Sequence, residues 1–250
     1  MLEAPAMHAA LATIRRGYTR HSLVALALMF GVYTAIGLHW WQLMDWSQGM
    51  DWLLGAIWVF MTALLCWDID TARDLPLVAV AFLGGLVIEA WGTQTNLWHY
   101  FTAERPPAWI LPAWPVAALT NARLARWLDG LLPQRGMDTA WRVVMPAFVA
   151  WMTWFAWPTI GMGTTQLVVA LMVVVLMTPG DRREELVLFI AGASLGLFLE
   201  YWGTSRRCWT YYTEQVPPPV AVFAHGFASV AFHRGLQLAR RTVSLARVAR

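Results

Sequence analysis

Charge is scarce in this chain. Only 13% of its 250 residues are Asp, Glu, Lys or Arg, against about 25% in soluble domains, while 58% are hydrophobic and the mean hydropathy is +0.49. So little charge cannot clothe a globule in water, which excludes a soluble globular enzyme. Lysine is absent altogether. The eighteen basic residues are all arginine and are scattered along the chain, so the net +3 forms no stripe and no nucleic-acid partner is expected. Cysteine is limited to Cys66 and Cys208, with no paired-cysteine motif, and the histidines at 8, 21, 39, 99, 225 and 233 lack ligand spacing. Neither a phosphate-cradling glycine loop nor a GxSxG elbow occurs. No metal site and no cofactor are expected.

What the chain has instead is tryptophan, seventeen of them, and long apolar runs. A membrane-spanning helix needs roughly 20 mostly apolar residues. Eight segments qualify: 21–41, 50–67, 75–91, 108–128, 141–157, 164–178, 185–202 and 218–238. Runs such as Leu167–Met177 and Leu186–Leu199 show none of the alternating polarity of barrel strands. The expectation is an all-α, polytopic transmembrane bundle of about eight spans. Pro112 and Pro115 predict a kink or a re-entrant start to the fourth. The first apolar run has no small-residue cleavage pattern and reads as a retained helix. In this layout Arg15, Arg16, Arg20, Arg73, Arg123, Arg126, Arg135, Arg142, Arg182, Arg183, Arg234, Arg240, Arg241, Arg247 and Arg250 fall on one side. Only Arg105, Arg206 and Arg207 fall on the other. The positive-inside rule then makes both termini cytoplasmic and the protein a multi-pass inner-membrane protein. The two cysteines lie at opposite faces and cannot pair.

Sliding the sequence against itself exposes a duplication. The run Glu89–Thr102 (EAWGTQTNLWHYFT) matches Glu200–Thr213 (EYWGTSRRCWTYYT) at a constant offset of 111. The same offset superposes Asp70 on Asp181, Gly85 on Gly196, Pro106-Pro107 on Pro217-Pro218, Arg123 on Arg234, Trp40 on Trp151 and Trp46 on Trp157. The expected organisation is a cytoplasmic segment 1–20, four-helix repeats at 21–130 and 131–240, and a basic tail 241–250. Four spans per repeat make the repeats parallel, about an axis along the membrane normal. The two motif copies then lie at one depth and face each other.

Glu89 and Glu200 fall within the apolar slab, where an ionisable group is costly and points to function. They read as a general acid and base, or as pins bonded to their own loop amides or to Arg105, Arg206 or Arg207. Gly92-Thr93 and Gly203-Thr204 read as helix terminators, glycine turning left-handed and threonine bonding freed carbonyls. Trp91, Trp98, Tyr100, Trp202, Trp209 and Tyr211 read either as interfacial belt anchors or as pocket walls. The halves differ where Trp114 of the first aligns with His225 of the second. Trp114 is a further candidate pocket residue. His225 is either a proton partner for Glu200 or a core histidine bonded to a carbonyl. Asp70 and Asp181 read as helix caps, with Arg123 and Arg234 as ion-pair partners or lipid-phosphate ligands.

The string E-x-W-G-T-x4-W-x-Y-x-T followed by P-P resembles, in outline, the integral membrane carotenoid hydratases and the wider membrane isoprenoid cyclases. It is also similar to an uncharacterised family of bacterial polytopic membrane proteins. The match rests on Glu89, Gly92, Trp98 and Tyr100 and on Glu200, Gly203, Trp209 and Tyr211, about a tenth of the chain. The resemblance implies acid/base chemistry on an apolar isoprenoid or membrane lipid. From another class come a carrier of a small lipophilic molecule and a subunit docking with membrane-protein partners.

Overall fold

A computed structural model describes residues 17–47, 49–178 and 180–248, with side chains to residue 242. Arg15, Arg16 and Arg250, and the side chain of Arg247, lie outside the described residues. Among those described are eight α-helices: α1 (Arg20–Trp40), α2 (Asp51–Leu65), α3 (Thr71–Gln94), α4 (Ala113–Asp129), α5 (Met137–Phe155), α6 (Gly163–Met177), α7 (Arg182–Ser205) and α8 (Pro219–Val248). Each falls on one of the eight expected apolar segments. Three stretches, Arg20–Leu43, Thr71–Gln94 and Arg182–Ser205, are long and apolar enough to cross a membrane. The helices α2 and α6 are apolar but shorter.

The chain is not purely helical. Two short strands, β1 (Trp98–Tyr100) and β2 (Trp209–Tyr211), pair antiparallel in the connections after α3 and α7. The fourth helix also starts later than expected. Pro112 stands at the N-cap of α4 and Pro115 in its first turn, where a missing N–H costs nothing.

Two compact units make up the fold, the first ending at Asp74 and the second running from Leu75. In the first, the Tyr33 and Trp58 rings stack at 4.5 Å, joining α1 to α2. The Tyr18 hydroxyl donates to the Ala63 carbonyl at 2.9 Å.

In the second unit, α7 and α8 pack backbone to backbone. A Cβ on Gly192 would lie 2.6 Å from the His225 carbonyl oxygen, and one on Gly226 2.4 Å from that of Phe189. Small residues at a helix crossing allow this approach, as they do in membranes generally. Ala81 of α3, Ala118 of α4 and Ala228 of α8 meet around Phe232 in the same way. At the start of α7, Asp181 caps the helix by accepting from the Glu184 N–H at 3.0 Å. Asp70 accepts likewise from the Ala72 N–H at 3.0 Å, so both aspartates cap as expected. Arg234 pairs with Glu185, which is 1% exposed and also accepts the Trp141 indole N–H at 2.9 Å. One guanidinium N–H of Arg234 reaches the Thr178 carbonyl at 3.0 Å, so both ends of this buried pair are hydrogen-bonded.

Candidate functional site

Glu89 and Glu200 stand near the C-terminal ends of α3 and α7, 3% and 4% exposed. Among the described residues, neither bonds to a loop amide or to an arginine. Each is held by aromatic side chains of the connection that follows it. Glu89 accepts from Trp98 Nε1 at 3.1 Å and from the Tyr100 hydroxyl at 2.8 Å, both on Oε2. Glu200 accepts from Trp209 Nε1 at 2.9 Å on Oε2 and from the Tyr211 hydroxyl at 3.0 Å on Oε1. The third partner differs between the two. Trp114 of α4 donates its indole N–H to Glu89 Oε1 at 3.0 Å, whereas His225 of α8 places Nε2 3.0 Å from Glu200 Oε1. Of the two sequence readings of His225, the structure shows the contact with Glu200.

The glycines make room for these rings and do not end the helices. Helix α3 continues through Gly92 to Gln94, and α7 through Gly203 to Ser205. A Cβ on Gly92 would sit 2.0 Å from the Trp98 ring, and one on Gly203 2.0 Å from the Trp209 ring. The left-handed residues just past the two helices are instead Asn96 (φ 59) and Arg207 (φ 54), which turn the chain back toward its helix. Thr93 and Thr204 do bond carbonyls, donating to Glu89 O and Glu200 O at 2.6 Å each. The carbonyl accepted is that of the glutamate itself, so the hydroxyl steadies the turn that carries the carboxylate.

The two cages are locked together by the strands. Trp98 pairs with Tyr211 and Tyr100 with Trp209, so each ring bonded to one glutamate lies beside a ring bonded to the other. The ring centroids are 5.9 and 6.1 Å apart. The Phe101 N–H to Cys208 carbonyl bond (3.1 Å) and the Tyr212 N–H to Leu97 carbonyl bond (3.0 Å) extend the pairing at its ends. An isolated pair of such short strands is marginal, and here buried aromatics supply what the ladder cannot. Burial and the neighbouring carboxylates push the Tyr100 and Tyr211 phenols well above their ordinary range, which keeps both as donors.

Between the cages lies a cavity of about 150 Å³. It is lined by Glu89, Glu200 and His225, by Trp91, Trp98, Tyr100, Trp114, Trp209 and Tyr211, and by apolar residues including Met152, Phe155 and Leu199. No arginine is among the lining residues. Trp202 is the exception among the expected wall residues. Its ring meets Trp209 edge-on at 6.3 Å, behind the cage and outside the lining. Sequence reading missed the supports of this wall. The Trp91 indole donates to Thr165 at 2.9 Å, and Thr165 in turn contacts Thr159 at 2.9 Å, anchoring the ring to α6. The Tyr212 hydroxyl donates to the Phe155 carbonyl at 2.7 Å and ties the strand pair to α5. Thr159, in the turn between α5 and α6, and Thr165, in α6, gave no signal beyond composition, because neither has a counterpart in the repeated motif.

The arrangement joins two acidic groups and one imidazole across a single small, aromatic-walled space. Among the described residues, no group of three or more His, Cys, Asp or Glu side chains is placed to hold a metal ion. No family model matches the chain, and neither a curated protein nor a solved structure is found similar to it.

Proposed function

We propose that the chain is an eight-span inner-membrane protein with both termini cytoplasmic, built as two parallel four-helix repeats. Its cavity would perform acid/base chemistry on an apolar isoprenoid or lipid. Several features support this architecture. Eight helices coincide with the eight apolar segments, and the two motif copies make the same bonds. The strand register is also self-complementary, pairing position 98 with 211 and 100 with 209, as a two-fold relation requires. The surface of α1, where Leu23, Phe30 and Leu38 are each about 70% exposed, suits contact with lipid.

The observation that carries the chemistry is one cavity lined by both glutamates and by His225. Its volume matches cavities that hold a benzene-sized guest. The occupant is then an end group or a single unsaturated unit, with the rest of a longer substrate outside. Protonation of a carbon–carbon double bond uses its π electron pair to form a C–H bond and leaves a cation on the adjacent carbon. Facing carboxylates and aromatic rings stabilise that charge. Loss of a neighbouring proton completes an isomerisation, attack by a second double bond a cyclisation, and attack by water a hydration.

The test is to incubate the full chain in lipid with a linear polyprenyl hydrocarbon in D2O and read deuterium in the recovered lipid by mass spectrometry. Uptake that Glu89→Gln and Glu200→Gln each abolish is the expected result. Uptake undiminished in both variants refutes the reading. A second reading, a non-catalytic carrier, is favoured by one feature: Glu89 is fully bonded by its own neighbours and needs no ligand. It predicts retention of the hydrocarbon with no deuterium exchange.

A further inference from the structure

The two glutamates are both buried but differ in chemistry. An indole N–H can only donate, whereas imidazole and phenol can donate or accept. Glu89 has an indole on each oxygen, Trp114 on Oε1 and Trp98 on Oε2. An acidic proton on either oxygen would compete with a donor that cannot turn round. Glu200 has an indole on Oε2 alone, and its Oε1 faces the Tyr211 hydroxyl and His225 Nε2. A proton on that oxygen can be given to neutral Nε2, and a proton on Nε2 can be given back. A carboxylate on Glu200 accepts from Nε2 and a carboxylic acid there donates to it, so the tautomer of His225 follows the protonation of Glu200. The carbonyl of His225 is engaged by Ser229 at 2.9 Å, which fixes the backbone and leaves the ring chemistry open.

Building on the reading of this cavity as an acid/base site, we propose that its halves have different tasks. The Glu200–His225 pair exchanges protons with the occupant, and Glu89 remains a fixed anion. The surroundings of His225 fit this division. Trp114 of α4 stacks on its ring, α5 presents Met152 and Phe155, α7 presents Glu200 and Leu199, and the strands present Tyr100 and Tyr211. Across the cavity, α3 presents Glu89. No cationic side chain lines the space, so an imidazolium formed there has carboxylates as its only counter-ions, and an anionic headgroup has no partner. The part of the substrate that enters is therefore uncharged, with any phosphate or carboxylate left outside. In the transfer, the protonated pair gives its proton to one carbon of the double bond, which supplies the electron pair. The pair is left as carboxylate and neutral imidazole until the product cation returns a proton to it.

This division is testable without a substrate. The full chain in lipid nanodiscs is taken from about pH 8 to about pH 5, across the ordinary histidine range. Infrared difference spectra read carboxylic-acid protons, and 15N-histidine magnetic resonance reads the imidazole. Proton uptake that appears on either partner and is lost in Glu200→Gln or His225→Gln, but persists in Glu89→Gln, is the expected result. A carboxylic-acid band removed by Glu89→Gln overturns the proposal, as does the absence of uptake on all three side chains. Should Glu89→Gln fail to fold, Trp114→His provides the second arm. Giving Glu89 a partner that can accept should add a second titrating imidazole, and a titration unchanged from wild type counts against the donor argument. Neither arm involves the hydrocarbon, so a negative deuterium experiment and a negative titration are separate results.

Discussion

Trp114 and His225 stack in an offset, near-parallel pair, with ring centroids 5.7 Å apart and planes 17° from parallel, while each bonds to the glutamate of its own cage. Positions related by the offset of 111 thus meet each other and perform the same geometric task with different chemistry. A donor-only indole serves one carboxylate and a two-way imidazole the other.

The glutamine variants should separate on stability as well as on chemistry. In Glu200→Gln the amide oxygen can keep the Trp209 indole while its NH2 donates to neutral His225. In Glu89→Gln the amide NH2 must oppose an indole N–H on whichever side it takes. An unsatisfied buried donor costs about 1–3 kcal/mol. Glu89→Gln should therefore be the less stable by an amount in that range, read as separate midpoints in chemical unfolding of the detergent-solubilised chain. Equal midpoints would remove the distinction.

Adding one methyl group should break a cage from outside. The Cβ of Gly203→Ala would lie 2.0 Å from the Trp209 ring, which must withdraw from Glu200. Overpacking of this kind costs roughly 1–3 kcal/mol, to which the loss of a hydrogen bond to a charged group adds about 1.5–3 kcal/mol. Gly161→Ala, with open space around its Cβ, is the control and should change little. Thermal unfolding of both variants distinguishes a packing role from a chain-turning one. An unperturbed Gly203→Ala would mean that the indole has room to spare.

These expectations rest on parts of the molecule that were unequally legible in its sequence. Hydropathy located the helices because each falls on a long apolar run, whatever that run packs against. The offset located both glutamates with their tryptophans and tyrosines at matching distances. The β1–β2 pairing was not legible, since each strand is only three residues and its partner lies in the other motif copy. Gly92 and Gly203 misled for a physical reason. A glycine near a helix end commonly marks a left-handed stop, and only the folded chain shows an indole lying over it. The role of Glu185 was not legible either, because its partners, Trp141 and Arg234, come from two other helices.

A pH effect should arise at the exposed start of α5. Hydrogen bonds from Arg182 and Arg142 hold the Asp138 carboxyl below its ordinary range. A carboxylate with a depressed folded pKa adds stability above its unfolded pKa, and that stability is lost as pH falls through the folded value. Asp138→Asn should therefore be slightly less stable than wild type at neutral pH. The difference should close as pH falls below the usual aspartate range, and it should shrink in high salt because the pair is solvent-screened. Unfolding midpoints against pH for the two proteins give the measurement. A difference that grows on acidification contradicts the assignment.

The buried pair between Glu185 and Arg234 gives the sharpest stability test away from the cavity. Glu185 is 1% exposed, with its oxygens shared between the Arg234 guanidinium and the Trp141 indole. Removing the cation alone leaves a carboxylate in an apolar setting with only a neutral donor, and breaking buried pairs in this way costs about 3–5 kcal/mol. Arg234→Met should therefore be strongly destabilised. Replacing both charges removes the stranded anion together with its partner, and paired apolar replacement of such bridges is often neutral or better. The double variant Glu185→Met with Arg234→Met should recover most of the loss, leaving chiefly the unsatisfied Trp141 indole. If the double variant is no more stable than Arg234→Met, the penalty lies in lost packing around Thr178 and not in the uncompensated charge.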